Sequence, residues 1–211
     1  CKSNNDRKMK DEKEKTGKAS HNDCADVHWS HQKGEHGPEN WANLCDGFSA
    51  CGGSAQSPID IVTADVVSNE DLAPLGMEYG ETPVHIINNG HTVQFNVDEG
   101  SRIKIDNKDY QLLQFHYHAQ SEHTIDGKPS PLEVHYVHKH SDTDFAVVGA
   151  MIEEGEENAL FARFLEKFPE NGEKYMDETH LIALRKTLPE DLNYYHYSGS
   201  LTTPPCSEVV S

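Results

Sequence analysis

Between Val84 and Ile152 the chain repeats one local pattern: a short run rich in branched and aromatic residues, then turn formers, then another such run. Val84–Ile87, Thr92–Val97, Arg102–Ile105, Gln111–His118, Leu132–His138 and Phe145–Ile152 therefore read as strands. The period changes only after them. Leu160, Phe161, Phe164, Leu165 and Phe168 recur at helical spacing ahead of Pro169, which predicts a surface helix over Glu156–Phe168. Leu181–Lys186 adds a short second one. The pattern predicts a mainly β, α+β fold with a few peripheral helices, and 211 residues suffice for a single domain with a real core.

Charge narrows the partners. A formal net charge of −18 argues against nucleic acid, whose phosphates need a basic surface. Residues 1–20 run the other way, with seven Lys and Arg against four Asp and Glu, and one methionine is their only large apolar side chain. Such a stretch buries too little to offset its ordering entropy. Residues 1–25 are thus expected to form a disordered charged tether and residues 26–211 the folded domain. No apolar run reaches the length of a membrane span, and no signal peptide is present. A chain that opens on Cys1 and continues into a polar tract resembles a mature bacterial lipoprotein, with Cys1 carrying the lipid anchor. The same start also fits a fragment boundary. Setting Cys1 aside, Cys24, Cys45, Cys51 and Cys206 admit three pairings, and none lies in a Cys-x-x-Cys spacing. Disulfides in an oxidising compartment, periplasmic or extracellular, are expected. From His28 to Pro58 loop formers dominate, with Trp29 and Trp41 as the side chains that anchor the loops to the core.

The chemistry concentrates between Gln114 and His140. On a strand the two-residue period points His116 and His118 to one face, and His135 on a neighbouring strand completes a three-nitrogen metal site. Three neutral imidazoles suit Zn²⁺ and leave its fourth position for water, the arrangement of a catalytic metal. Gln114 precedes His116 by two residues and Glu133 precedes His135 by two, so each offers an oxygen to the distal N–H of its histidine. Such acceptors fix the tautomer and raise ligand basicity. A fourth nitrogen from His123 would close the open position, so His123 is assigned to support. His138 and His140 are read as solvated polar residues.

These residues sit in a larger set: His28-Trp29-Ser30, Gly37-Pro38-Glu39-Asn40-Trp41, Gln56-Ser57-Pro58-Ile59-Asp60-Ile61, Asn88-Asn89-Gly90-His91, Gln114-Phe115-His116-Tyr117-His118, Ser121-Glu122-His123-Thr124, Glu133-Val134-His135 and Ser200-Leu201-Thr202-Thr203-Pro204-Pro205-Cys206. On these blocks the chain resembles an α-class carbonic anhydrase of bacterial type, from about residue 28 to its last residue. The resemblance implies a central, mostly antiparallel twisted β-sheet and the zinc-dependent reversible hydration of carbon dioxide to bicarbonate and a proton. It implies Zn²⁺ on His116, His118 and His135, with Thr202 and Glu122 orienting the nucleophile and His91 as the proton shuttle. Gln94, Val137, Val147, Leu201, Thr203 and Val210 would surround the substrate. It pairs Cys51 with Cys206, which leaves Cys24 and Cys45 as a second bridge or as two thiols.

The chain departs from the pattern at His31, where most members carry tyrosine. An imidazole hydrogen-bonds water as a hydroxyl does, and it can also take a charge. The family pattern continues for a few dozen residues past the position of Val210 and supplies a backbone carbonyl to the residue matching His118, so the chain is expected to lack that C-terminal segment. Two other readings stand beside the enzyme: a non-catalytic carbonic-anhydrase-like binding protein, and a zinc-scavenging lipoprotein.

Overall fold

The structure, a computed structural model, describes residues 24–70, 72–160, 162 and 167–211. Cys1 and nearly all of the expected tether lie outside the described residues. The strands are β1 Asp60–Ile61, β2 Gly76–Glu78, β3 Glu81–Asn88, β4 Val93–Asn96, β5 Arg102–Ile105, β6 Lys108–Ala119, β7 Thr124–Ile125, β8 Lys128–Pro129, β9 Leu132–Ser141, β10 Asp144–Ile152 and β11 Lys174–Ala183. A large sheet runs β10-β9-β6-β4-β3-β11, with β5 bonded to β2 and β6, and each of these pairs is antiparallel. A small sheet, β1-β7-β8, includes one parallel pair, β1 with β7.

One face of the large sheet carries the core. Val84, Ile86, Phe95, Phe115, Val134 and Tyr136 are fully buried there, and each such side chain contributes about 1.5–3 kcal/mol by leaving water. The rings of Phe95 and Phe115 stack at 4.7 Å. The opposite face carries the chemistry, and a single irregularity assigns it. Tyr110 and Leu112 are buried on β6 at even positions, whereas Phe115 is buried at an odd one. The pairing of β6 with β9 shifts between Leu112 and Gln114, and Leu113 is pushed outward to 39% exposure. Such a bulge reverses the parity of everything after it. Gln114, His116 and His118 therefore leave the core face together.

All six expected strands are present, most of them longer than their apolar runs. The short helix expected at Leu181–Lys186 is instead the end of β11 followed by a 3₁₀ turn, Leu184–Thr187. Leu181, Ile182 and Ala183 pair with Pro83, Thr82 and Glu81 on β3, and Ile182 and Leu184 are buried with a strand's alternation. Pairing with β3 overrides a helical preference spread over so few residues. The expected helix at Glu156–Phe168 is described only at its start. Asn158 caps it, its side-chain oxygen accepting from the Leu160 N–H at 3.0 Å and its carbonyl from the Ala162 N–H at 3.1 Å. Phe161, Phe164 and Leu165 lie outside the described residues. His138 is not solvated: it is fully buried, bonded to the Tyr79 hydroxyl at 2.6 Å and to the Ala146 carbonyl at 3.2 Å. His140 is exposed, with Nδ1 against the Asp109 carbonyl.

Candidate metal centre

His116 and His135 stand directly opposite each other on β6 and β9, and His118 lies two residues further along the same face of β6. One nitrogen from each of the three can be chosen so that all lie within 4.8 Å of one another. Hydrogen bonds decide which nitrogen faces inward. His116 Nδ1 donates to Gln114 Oε1 at 2.8 Å, and His135 Nε2 donates to Glu133 Oε1 at 2.8 Å. This leaves His116 Nε2 and His135 Nδ1 as lone pairs, joined by His118 Nε2, which is buried and has no hydrogen-bond partner among the described residues. Burial pushes the His118 imidazole down to about 3 and His116 to about 4, with neighbouring His135 adding to both shifts. Neutral rings with inward lone pairs are what a metal ion requires.

A second group, His123, Glu133 and His135, is equally compact but differs in chemistry. There Glu133 Oε1 already accepts from both His123 Nδ1 and His135 Nε2, at 2.8 Å each, and Oε2 accepts from the backbone N–H groups of Glu122 and His123. Burial raises the carboxyl's pKa, yet these hydrogen bonds outweigh it and hold Glu133 well below the usual carboxylate range. A cation there would have to displace protons already in place. This set braces the first one.

The brace continues outward. With Nδ1 donating, His123 Nε2 accepts from the Tyr197 hydroxyl at 2.7 Å, and that oxygen meets Ser57 Oγ at 2.8 Å. Ser57 and Ser200 exchange bonds, each backbone N–H donating to the other's hydroxyl. The Cys51–Cys206 disulfide and Glu208, which accepts from the Ala55 N–H and Gln56 Nε2, tie the same two loops together. A second bridge joins Cys24 to Cys45. Gly149 on β10 faces His135, and a Cβ there would lie 2.9 Å from Glu133 Oε1, so only glycine leaves the carboxylate in place.

Thr202 is carried by the braced loop, and its side chain acts to lower the pKa of the Glu122 carboxyl. Glu122 Oε2, buried and without a hydrogen-bond partner, lies 3.5 Å from His118 Nε2 and 3.8 Å from His135 Nδ1. Burial raises its pKa against the opposing effects of His135 and Thr202. Beside these groups lies a cavity of about 270 Å³, with Val137, Val147, Leu201, Thr203 and Val210 in its lining. Val210 reaches it because the final residues bond along the edge of β10 at Phe145 and Val147. Gln94 pairs across from His116, but its amide donates to Asn96 at 2.6 Å and it is not part of that lining. His91 stands apart on the β3–β4 turn. Asn89 Oδ1 accepts from the His91 and Thr92 N–H groups, and the His91 ring lies flat on Trp29 at 4.1 Å. Burial first, then His31 and His28, lower its pKa.

Sequence reasoning missed Tyr197, Ser57, Gly149 and the stacking of Trp29 on His91. Ser57 lay within a recognised block; Tyr197 sits in an aperiodic polar-aromatic run that gives no signal of its own.

Comparison with known proteins matches residues 36–211 to the family model described as eukaryotic-type carbonic anhydrase. A carbonic anhydrase of Pectobacterium atrosepticum is 43% identical over 185 residues, which cover 87% of this chain and 74% of that protein. One from Klebsiella pneumoniae is 41% identical over 187 residues, with the same coverage of both chains. Among solved structures, the α-carbonic anhydrase of Thermovibrio ammonificans, in complex with the inhibitor sulfanilamide, superposes with a TM-score of 0.82 at 41% identity. That match covers 87% of this chain and 81% of the other.

Proposed function

The chain belongs to the eukaryotic-type, or alpha, carbonic anhydrase family, and we propose that it hydrates carbon dioxide reversibly at a zinc ion held by His116, His118 and His135. Zinc in such a site lowers the pKa of a coordinated water to about 7, which makes a nucleophile available at neutral pH. The remaining work falls to the chain's own residues. Gln114 and Glu133 fix two of the imidazoles through their distal N–H groups. Thr202, which acts on the Glu122 carboxyl and lines the cavity, would donate its hydroxyl proton to Glu122 and so accept from cavity solvent. Val137, Val147, Leu201 and Val210 provide an apolar wall, suited to a small uncharged substrate held at attack distance. His91 accepts the proton that hydration releases and passes it to bulk buffer, as a solvent-exposed imidazole can.

The observation that carries this reading is the buried, unpartnered Nε2 of His118 within reach of two other oriented imidazoles. Zinc content and stopped-flow hydration of carbon dioxide, measured on the same preparation, test it. One zinc per chain, with activity that a chelator removes and zinc restores, is expected. Bound zinc without hydration would favour a non-catalytic binding protein, and several zinc ions without hydration a scavenger. The disulfides suit an oxidising compartment, so we assign the chain to the periplasm or the extracellular space. Among the described residues no helix is long and apolar enough to cross a membrane.

A further inference from the structure

The two disulfides differ in reach and in access. Cys51–Cys206 spans 155 residues, and Cys206 is only 3% exposed. Cys24–Cys45 spans 21 residues, and both of its cysteines are half-buried. The two ends of this shorter bridge are held unequally. Cys45 lies between the helical turn Trp41–Leu44 and the 3₁₀ turn Asp46–Gly52, and its carbonyl accepts from the Phe48 N–H at 2.9 Å. Buried Phe48 and the disulfide at Cys51 fix that second turn. Cys24 instead begins a strap, Cys24–Trp29, whose only backbone hydrogen bond among the described residues is internal, from the Val27 N–H to the Cys24 carbonyl at 3.1 Å. A Cβ at Gly47 would lie 2.6 Å from Cys24 Sγ, so the bridge seats on bare backbone there. The strap ends on Trp29, whose indole lies flat on the His91 ring at 4.1 Å and edge-on to buried Trp41 at 5.5 Å. Just beyond it, Trp41 Nε1 donates to the carbonyls of Ser30 and His36. The bridge and these ring contacts hold Trp29 over the β3–β4 turn.

We propose that Cys24–Cys45 is a redox latch: a dithiol reductant opens it while Cys51–Cys206 stays closed, and opening frees Trp29 from the His91 ring. A thiolate of the reductant attacks one sulfur of the bridge and expels the other as a thiolate, which takes up a proton. The reductant's second thiolate then attacks its own sulfur in the mixed disulfide and releases the second cysteine, which is protonated in turn. Two electrons and two protons pass from the dithiol to the cystine, and the reductant leaves as an intramolecular disulfide. Access sets the order of opening, because exchange requires the thiolate to reach a sulfur and burial closes Cys206 to it. Loop length acts in the same direction, since a bridge over 155 residues constrains the unfolded chain more than one over 21. Once the bridge is cut, Cys45 keeps its two turns, whereas Cys24 keeps no hydrogen bond outside the strap among the described residues. The strap is therefore the part that moves. The latch goes beyond the function proposed above and stands without it.

The full chain, with any free thiol blocked beforehand, is treated with dithiothreitol under native conditions, quenched with iodoacetamide and read by mass spectrometry, alongside NMR of the His91 ring. We expect Cys24 and Cys45 to be alkylated while Cys51 and Cys206 remain joined. The His91 ring protons should move downfield to their position in Trp29→Ala, because the ring current of the stacked indole is lost, and reoxidation should return them. Cys24→Ser/Cys45→Ser should show the downfield position without reductant and no further change with it. Zinc content and circular dichroism verify that centre and fold persist, and reduction of the wild-type chain decides the matter if the double variant does not fold. Opening of Cys51–Cys206 before or together with Cys24–Cys45, resistance of both bridges to the dithiol, or alkylation of Cys24 and Cys45 with the His91 signals unmoved would overturn the latch while leaving the proposed activity standing.

Discussion

His116, His118 and His135 stand on strands whose register the sheet dictates, whereas His31 and His91 stand on a loop and a turn and pack against indole rings. In the first region burial keeps the His116 and His118 rings neutral, and side-chain acceptors orient His116 and His135. In the second, water reaches the rings and the contacts are between faces and edges, which position an imidazole while leaving its nitrogens free. On the function proposed above, one residue type would serve as a metal ligand where it is desolvated and as a proton carrier where it is wet. Secondary structure decides which.

The largest effect that would break this division is loss of a ligand. His118→Ala should lower zinc affinity by more than about 100-fold, beyond what removal of an outer partner costs, as measured by competition with a chelator. Retained affinity would place the metal elsewhere. Next comes His138, a buried sheet histidine outside the centre, whose pKa burial pushes down to about 4. The unfolded chain takes up this proton near pH 6.5 and the folded chain only near pH 4, so stability is complete above that window and declines as pH falls through it. The loss approaches roughly 3 kcal/mol. Urea midpoints at pH 7 and pH 5 should drop less in His138→Gln than in wild type; equal slopes would mean that burial does not keep this ring neutral.

Glu133→Gln should weaken zinc binding about 10–100-fold, because an amide oxygen cannot serve His123, His135 and two backbone N–H groups as the carboxylate does. An unchanged dissociation constant would detach the brace from the ligands. The smallest effect sharpens the comparison from the other side. Trp29→Ala removes the ring that shields His91, so the His91 midpoint should rise on NMR titration while zinc affinity stays as in wild type. A parallel loss of zinc would show that the two regions are not separate.

Much of this was legible in sequence wherever composition and position agree. The six strands carry branched and aromatic residues between turn formers, and the placement of Gln114, His116 and His118 on one face needed only the period of two. What escaped was set by tertiary contact. β11 is a polar edge strand whose Asp177 side chain bonds Thr179 and His180 at a register shift, so its apolar period is broken. The bulge at Leu113 decides which face the ligands take, and its only trace is the adjacent pair Leu112-Leu113. His138 read as solvated because alternation with His140 hides the difference between a core face and a strand end. Gly149 is silent in sequence: its role exists only once β10 lies against Glu133.

The central claim is that the neutral imidazoles of β6 and β9, and not the neighbouring carboxylate-bridged set, hold the metal. Anomalous diffraction at the zinc edge from crystals of the loaded chain addresses it directly. The account predicts one ion about 2.0–2.1 Å from His116 Nε2, His118 Nε2 and His135 Nδ1, with its fourth position open to solvent. An ion bound among His123, Glu133 and His135, or one bound away from His118, would contradict it.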